Sequence, residues 1–551
     1  VRAGGTCDGL LHIRDQADRA DRRSGQNPFA VGFVVQRDVA GNDRHIKSLT
    51  RLADAFYGAD ELTHDLGLFG VAEVQVVGGR KRLGPDSAQV AERFGHGLFA
   101  TFDRVRLDVA RRHVRGEGQC LFGAVHAHDA RAEAGGDDVH IIAALGLHRR
   151  MHDYELRHVL GDRIFDAFHP SGALYQHDAE DHENLTVLGE TDHGEILEIN
   201  RRVAESDLVV YANVNQVAMD GGWKSLVTGV ASYRCLSHHH NPESLQNTRS
   251  LMDRHHSALH HSIWRMGAVL RDNGPKVFQV ESTINNDAFP SPFDFLSKRE
   301  WEWTGRDRAT FLATSKVLDR TPRRLARRVF HSIEAPYAMT SVQAGFTETV
   351  HERTLEHVHA QHIVPVEGQT DILTMGIPFI SPYNPESIMN PVLVMCMGLG
   401  YLFNMYRGQP LVREGGVVIM THPTTREFHP VHHPSYIDFF DEVLADTTDP
   451  AEMSTRWERK YAEDEWYRHL YRTGNAYHGV HPFYAWYWGA HGQQWAGRVI
   501  IVGGDPATVR RLGFTPASTM DDAFELASEV VGRSPTITHL HVPSVLVADV
   551  H

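Results

Sequence analysis

Residues 207–241, DLVVYANVNQVAMDGGWKSLVTGVASYRCLSHHHN, decide how the rest of the chain is read. The β-branched run Leu208-Val209-Val210 predicts a buried strand of an α/β sheet. Gly221-Gly222 then stand just ahead of one lysine, Lys224. A small-residue turn, Thr228-Gly229-Val230-Ala231-Ser232, leads to three adjacent histidines, His238, His239 and His240. Glycines that admit a close backbone approach, one reactive amine and a set of imidazoles are the parts of a metal or cofactor site. The same residues also read as a glycine loop with a solvated lysine and surface histidines, and spacing alone leaves both readings open.

The surrounding composition narrows the classes. A chain of 551 residues has room for two or three domains with proper cores. Apolar residues make up 42% and charged residues 23%, as in ordinary globular proteins. A formal charge of −15 argues against broad binding to nucleic acid, which needs a concentrated basic face. Cys7, Cys120, Cys235 and Cys396 lie far apart and form no CxxC pair, so neither a zinc ribbon nor a disulfide framework is expected. The opening VRAGGTCDGL lacks the apolar core of a secretory signal, and a cytoplasmic location is the expectation. The apolar run 392–406 is broken by Gly398, Gly400 and Asn404. It predicts a buried helix and not a membrane span.

Residues 1–137 differ from the rest, with only two lysines, Lys47 and Lys81, and two prolines, Pro28 and Pro85. A strand over 72–77 and a helix over 85–93 are possible there, and the segment reads as atypical. From Asp138 the pattern sharpens. Residues 139–145 predict a strand, and Gly146-Leu147-His148-Arg149 form the turn at its C-terminal end, where open α/β sheets place ligands. HDAEDH, residues 177–182, reads as a solvated loop. His256 and His260, spaced i,i+4, read as the polar face of a helix. Further strand–helix units follow around 371–378, 414–420 and 498–506. Asp505-Pro506 supplies an N-cap and first-turn proline, and Ser518 with Asp521 suggests a capping box for the helix 520–531. The fold class expected is α/β, with two doubly wound domains and a cofactor cleft between them. The boundaries fall at 1–137, 138–275 and 276–551.

The run 207–241, together with ALGLHRRM, YQHDAEDHENLTVLGE and NRRVAESDLVV upstream, resembles the nickel-pincer nucleotide-dependent lactate racemase family. There a GGRKS-type loop precedes a small-residue turn and an Asn-His pair. The resemblance implies that Lys224 is joined covalently to the pincer nucleotide, in a loop begun by Gly221 and Gly222. It implies that His240 ligates the nickel, with His239 as the fallback, and that His148, in the place of a GTHRP-type turn, is a general acid/base. The implied activity is racemisation or epimerisation of a 2-hydroxy acid by reversible hydride transfer, an isomerase reaction. Its partners would be a small hydroxy acid and cofactor-building enzymes, with no nucleic acid or membrane.

The departures matter as much. The family's second acid/base histidine falls at Val214, next to Asn215, and neither can shuttle a proton. Trp223 replaces an arginine, Ile388-Met389-Asn390-Pro391 replaces a Tyr/Lys helix, and the Asp-x-Thr-Arg-Pro anion motif is missing. A histidine of the loop containing His422, His429, His432 and His433 is the expected substitute for the second base. The aromatic run 477–488, with His478 and His481, is a candidate cover for a cleft. The alternative is a relative that kept the fold and lost racemase chemistry, serving as a binding protein or a histidine-metal hydrolase.

Overall fold

The computed structural model describes residues 73–78 and 139–551, apart from 285–290, 299, 323–324, 326–338, 379–380, 382, 384–387 and 541–545. The expected helix over 85–93, Cys7 and Cys120 therefore lie outside the described residues. The first sheet begins with β1 (Glu73–Gly78), β2 (Val139–Ala144) and β3 (Leu174–Gln176). A separate hairpin of β4 (Leu185–Glu190) and β5 (Ile196–Asn200) follows. Then β6 (Leu208–Asn215), β7 (Lys276–Ile284) and β8 (Met339–Gly345) complete the order β3-β2-β1-β6-β7-β8.

This sheet is mixed. Strand β1 runs antiparallel to both β2 and β6, so β2 and β6 run the same way and end at the same edge. Strand β7 pairs with β6 in parallel over eight positions, and β8 closes the edge antiparallel to β7. Two expected boundaries need correction. The break at 275/276 falls between two paired strands, and β1, assigned to the atypical first segment, sits in the middle of the sheet. Backbone pairing, which the sequence does not display, overrides the composition shift.

The later strands are β9 (Ile363–Val366), β10 (Thr370–Gly376), β11 (Tyr406–Arg407), β12 (Val412–Thr421), β13 (Arg498–Val502), β14 (Thr515–Ala517), β15 (Ile537–Leu540) and β16 (Val547–Val550). They form a parallel sheet in the order β14-β13-β12-β10-β15 and a smaller parallel one, β11-β16-β9. The run Val417-Val418-Ile419-Met420 in β12 is wholly buried, as a strand covered on both faces must be. The helix Met520–Val531 covers one face. Its capping box is Thr519 with Asp522, one residue on from the expected Ser518 and Asp521. Asp505 caps Pro506–Arg511 as expected.

Between β12 and β13 a helical layer, residues 434–495, lies against the first sheet's loops, and one continuous apolar core runs through both halves. The apolar run after Asn390 is a buried helix that turns from Pro391–Met395 into the wider π form over Cys396–Leu402. The Asn404 amide satisfies its last carbonyls at Leu399 and Gly400. Among the described residues no helix is long and apolar enough to cross a membrane.

Candidate functional site

The shared edge of β2 and β6 brings two loops side by side. In the first, Gly146 takes φ +54° and its N–H donates to the Gly229 carbonyl at 2.8 Å. A Cβ there would lie 2.8 Å from the Thr228 oxygen, so only glycine lets the two loops meet. From the other side, the Tyr471 hydroxyl donates to the Gly146 carbonyl at 2.8 Å, and the His478 N–H donates to the Leu147 carbonyl at 3.2 Å. This fixes His148. Its ring sits edge-on to Tyr383 and to His481, each at 5.0 Å between centroids. Burial, then the positive charges of Lys224 and Arg149, lower its pKa to about 4, so the imidazole is neutral at neutral pH. Arg149 is itself buried and forked onto Glu155 at 2.6 and 3.0 Å.

The second loop is tied at its base by Asp220, whose carboxylate accepts from the Gln216 and Val217 amides. The same carboxylate lies 3.6 Å from Lys224 Nζ. Gly221 and Gly222 both have positive φ, and Gly222 N–H donates to buried Glu281 at 2.6 Å. A Cβ on Gly222 would stand 2.8 Å from the His351 ring, and one on Gly221 would collide with Glu281 and Asn215. The close approach these glycines permit is thus to the chain's own side chains. It sets the start of the helix Gly222–Gly229 and puts Lys224 on its first turn. Trp223, on the same turn, is buried and donates to Glu348 at 3.3 Å.

The three histidines are not a surface cluster. His239 and His240 are buried, and their Nδ1 atoms share a 2.7 Å hydrogen bond. Asn241 holds the turn, donating to the Ser237 and His238 carbonyls and capping the helix Pro242–Gln246. The His240 ring packs between Tyr484 at 5.4 Å and Trp488 at 5.5 Å. Burial, then His239, Lys224 and His148, hold its pKa well below the usual imidazole range. His148, Lys224 and His240, from three separate stretches, therefore lie near enough for their charges to act on one another. Only the tautomer in which His240 donates from Nδ1 leaves its Nε2 lone pair for a metal. His239 does not offer that atom, since its Nε2 is sealed in the core. Among the described residues no three His, Cys, Asp or Glu side chains are arranged to hold a metal ion.

Other histidines depart from their expected places. HDAEDH is solvated only in part: His182 is exposed, but His177 is buried with Nε2 2.9 Å from the Ala231 carbonyl, and buried Glu180 accepts from His478 at 2.8 Å. His260 is buried rather than on a polar face, its ring spanning Ser257 Oγ at 2.7 Å and the Met219 carbonyl at 3.3 Å. His256 alone of that pair is exposed, beside Asp253 at 2.7 Å. An open groove of about 580 Å³ beside the seam, lined by Arg150, Asp178, Arg468 and Arg472, includes none of His148, Lys224 and His240. Arg472 pairs there with Asp178, and Arg468 pairs with Glu180. Tyr484 and Trp488 belong to the aromatic run expected to cover a cleft, whereas Tyr383 and Tyr436 were missed by sequence reading.

Comparison with known proteins agrees with the resemblance. Residues 120–253 match the family model of the lactate racemase N-terminal domain. The lactate racemase of Thermoanaerobacterium thermosaccharolyticum is 29% identical over 114 residues, which is 20% of this chain and 26% of that protein. The sequence match thus spans about a quarter of the curated relative's length. The lactate racemase apoprotein structure from the same organism is similar with a TM-score of 0.51 at 16% identity, covering 78% of this chain and 82% of that one. A crystal structure of a protein from Thermotoga maritima gives a TM-score of 0.44 at 14% identity, over 78% of this chain and 90% of that chain. Over residues 120–253 the chain is thus similar to the lactate racemase N-terminal domain, and its described residues have a mixed α/β fold.

Proposed function

We propose that the chain is an isomerase that inverts C2 of a 2-hydroxy acid, using a nickel-pincer nucleotide attached to Lys224 and ligated by His240. The observation that carries this reading is the convergence of an amine and two neutral imidazoles, His148 and His240, at the common edge of β2 and β6. The donor set fits such a group. One primary amine stands ready for an amide-type link, and one uncharged imidazole with a bonded Nδ1 suits nickel when the cofactor brings the softer sulfur donors. When bound, the cofactor supplies a hydride acceptor, which side chains alone cannot provide for a C–H of such low acidity.

The chain's own residues do the rest. His148, neutral at working pH, takes the hydroxyl proton of the substrate, while the surrounding tyrosines exclude water. Gly221 and Gly222 serve the cofactor by fixing the turn from which Lys224 projects. Arg149, forked onto Glu155, is already engaged with a carboxylate of the chain, so the substrate carboxylate is held by other groups. A cytoplasmic protein loaded by cofactor-building enzymes completes the reading.

The test is to produce the chain together with such enzymes and map its peptides by mass. An adduct on Lys224, equimolar nickel and inversion of a 2-hydroxy acid, followed by chiral chromatography, are expected. A bare Lys224 in fully active protein overturns the reading. Zinc with a bare lysine points to a histidine-metal hydrolase, and no metal at all points to a binding protein that kept the fold.

A further inference from the structure

Inverting a centre whose C–H always faces the same cofactor requires the hydroxyl to point two ways, once for each hand of the substrate. Each direction needs a group that can take the proton. One is His148. The position where the resemblance places the second holds Val214, on β6, and the adjacent Asn215 is buried with its amide donating to the Asp220 carbonyl at 3.0 Å.

Two of the loop histidines expected to substitute, His429 and His433, are occupied with their own loop. His429 Nδ1 accepts from the Val431 and His432 amides at 3.3 and 3.0 Å. His433 Nδ1 accepts from the His429 amide at 3.2 Å and faces Asn390 at 3.3 Å, and its Nε2 is enclosed. These rings replace the turn's backbone hydrogen bonds, as short polar side chains do elsewhere.

His481 is different. It stands on the first turn of the helix His481–Trp488 in the covering layer, next to Pro482. Its ring centroid is 5.0 Å from that of His148, 4.8 Å from Tyr383 and 4.5 Å from Tyr477. Its Nδ1 lies 2.6 Å from the Tyr436 hydroxyl. A hydroxyl both donates and accepts, so Tyr436 can serve either tautomer of the ring. When Nδ1–H donates to Tyr436, Nε2 is an open base, and after it takes a proton the Nδ1 bond persists.

We infer that His481 is the second proton-transfer residue of the site, paired with His148, with Tyr436 as its positioning residue. This rests on the reading of the protein as a 2-hydroxy acid racemase. The His148 imidazole takes the hydroxyl proton of one hand while His481, holding a proton on Nε2, gives one to the hydroxyl of the other. The reverse reaction exchanges the roles, and the proton passes back between the two adjoining rings before the next turnover.

Two measurements test it. In single-turnover oxidation of each pure hand to its 2-oxo acid by loaded enzyme, His481→Gln should slow one hand by about a hundredfold or more, the usual loss for a positioned proton-transfer group, and the other by less than about fivefold. His148→Gln should show the reverse preference. Tyr436→Phe, which leaves the histidine in place, should bias the same hand as His481→Gln, but less. A structural role for His481 predicts equal losses for both hands, and that result overturns the inference. The second measurement needs no cofactor. In ¹⁵N-histidine-labelled protein, oxalate should move the imidazole signals that vanish in His148→Gln and in His481→Gln. Movement of the His148 signal alone overturns the pairing. If both signals move while wild type turns over no hydroxy acid, the pairing stands and the racemase reading falls.

Discussion

The first sheet and the covering layer contribute to the site in opposite ways. The sheet's loops place their groups through backbone bonds: Gly146 to Gly229, Gly222 to Glu281, Asn241 across the histidine turn. The layer of residues 434–495 brings bulk. Tyr477, Tyr484 and Trp488 are buried against the same space, and the layer meets the sheet's loops through Tyr471 and His478. One region fixes where the reactive atoms are, and the other fixes the medium they work in. Burial heads the causes of the lowered pKa of both His148 and His240, so the layer does much to decide their protonation state.

The sharpest way to break this division is to remove the proposed base while leaving its medium. His148→Gln in loaded enzyme should lower racemisation turnover by about two to four orders of magnitude, with Lys224 still carrying its adduct. Steady-state rates with peptide mass mapping check both halves, and a near-normal rate would move the proton-transfer role to the layer.

Acid probes the medium itself. The pKa of His148 falls to about 4, that of His177 to about 4, that of His260 to about 3 and that of His433 to about 3, with burial the first cause in each. An unfolded histidine titrates near 6.5, so below that pH the unfolded chain binds more protons than the folded one. Stability contributed by these neutral rings is therefore complete above about 6.5 and lost as pH falls toward 4. Urea midpoints measured across that window should drop by more than one proton's worth of slope. A flat profile would mean the layer does not exclude water.

Two substitutions separate the loops from the cover by smaller amounts. Gly146→Ala forces a side chain into positive φ against the Thr228 carbonyl and should cost about 1–3 kcal/mol in denaturant unfolding. Tyr471→Phe removes the hydroxyl that accepts from Ala179 N–H at 3.1 Å and donates to the Gly146 carbonyl at 2.8 Å. About 1 kcal/mol should be lost, with faster hydrogen exchange confined to the loops at 145–149 and 177–181. Equal exchange over the whole chain would show that the layer and the sheet unfold as one unit.

The sheet side was readable because its signals are local. A strand, two glycines and a lysine lie within twenty residues, and the turn holding His148 directly follows a strand. His148 and His240 both feel the charge of Lys224. The rest was hidden by distance along the chain. HDAEDH looks like a solvated acidic loop until Tyr471, Arg468 and His478 close over it. Nothing near His481 in sequence indicates that it touches His148. His260 looked polar because its partner carbonyl, Met219, belongs to another loop. The mixed order of the first sheet was invisible for the same reason, since β1 and β7 come from either side of the recognisable stretch.

Glu281 carries a last consequence, for modularity. It sits on β7, accepts from Gly222 N–H and lies 3.2 Å from His351, so the lysine turn rests on residues 281 and 351. The matched family segment ends at residue 253. The stretch that recurs between relatives is therefore not a transplantable cassette. A recombination event joining it to foreign sequence after residue 253 would carry the lysine without its footing. Inheritance of this site is tied to more of the chain than its recognisable motif.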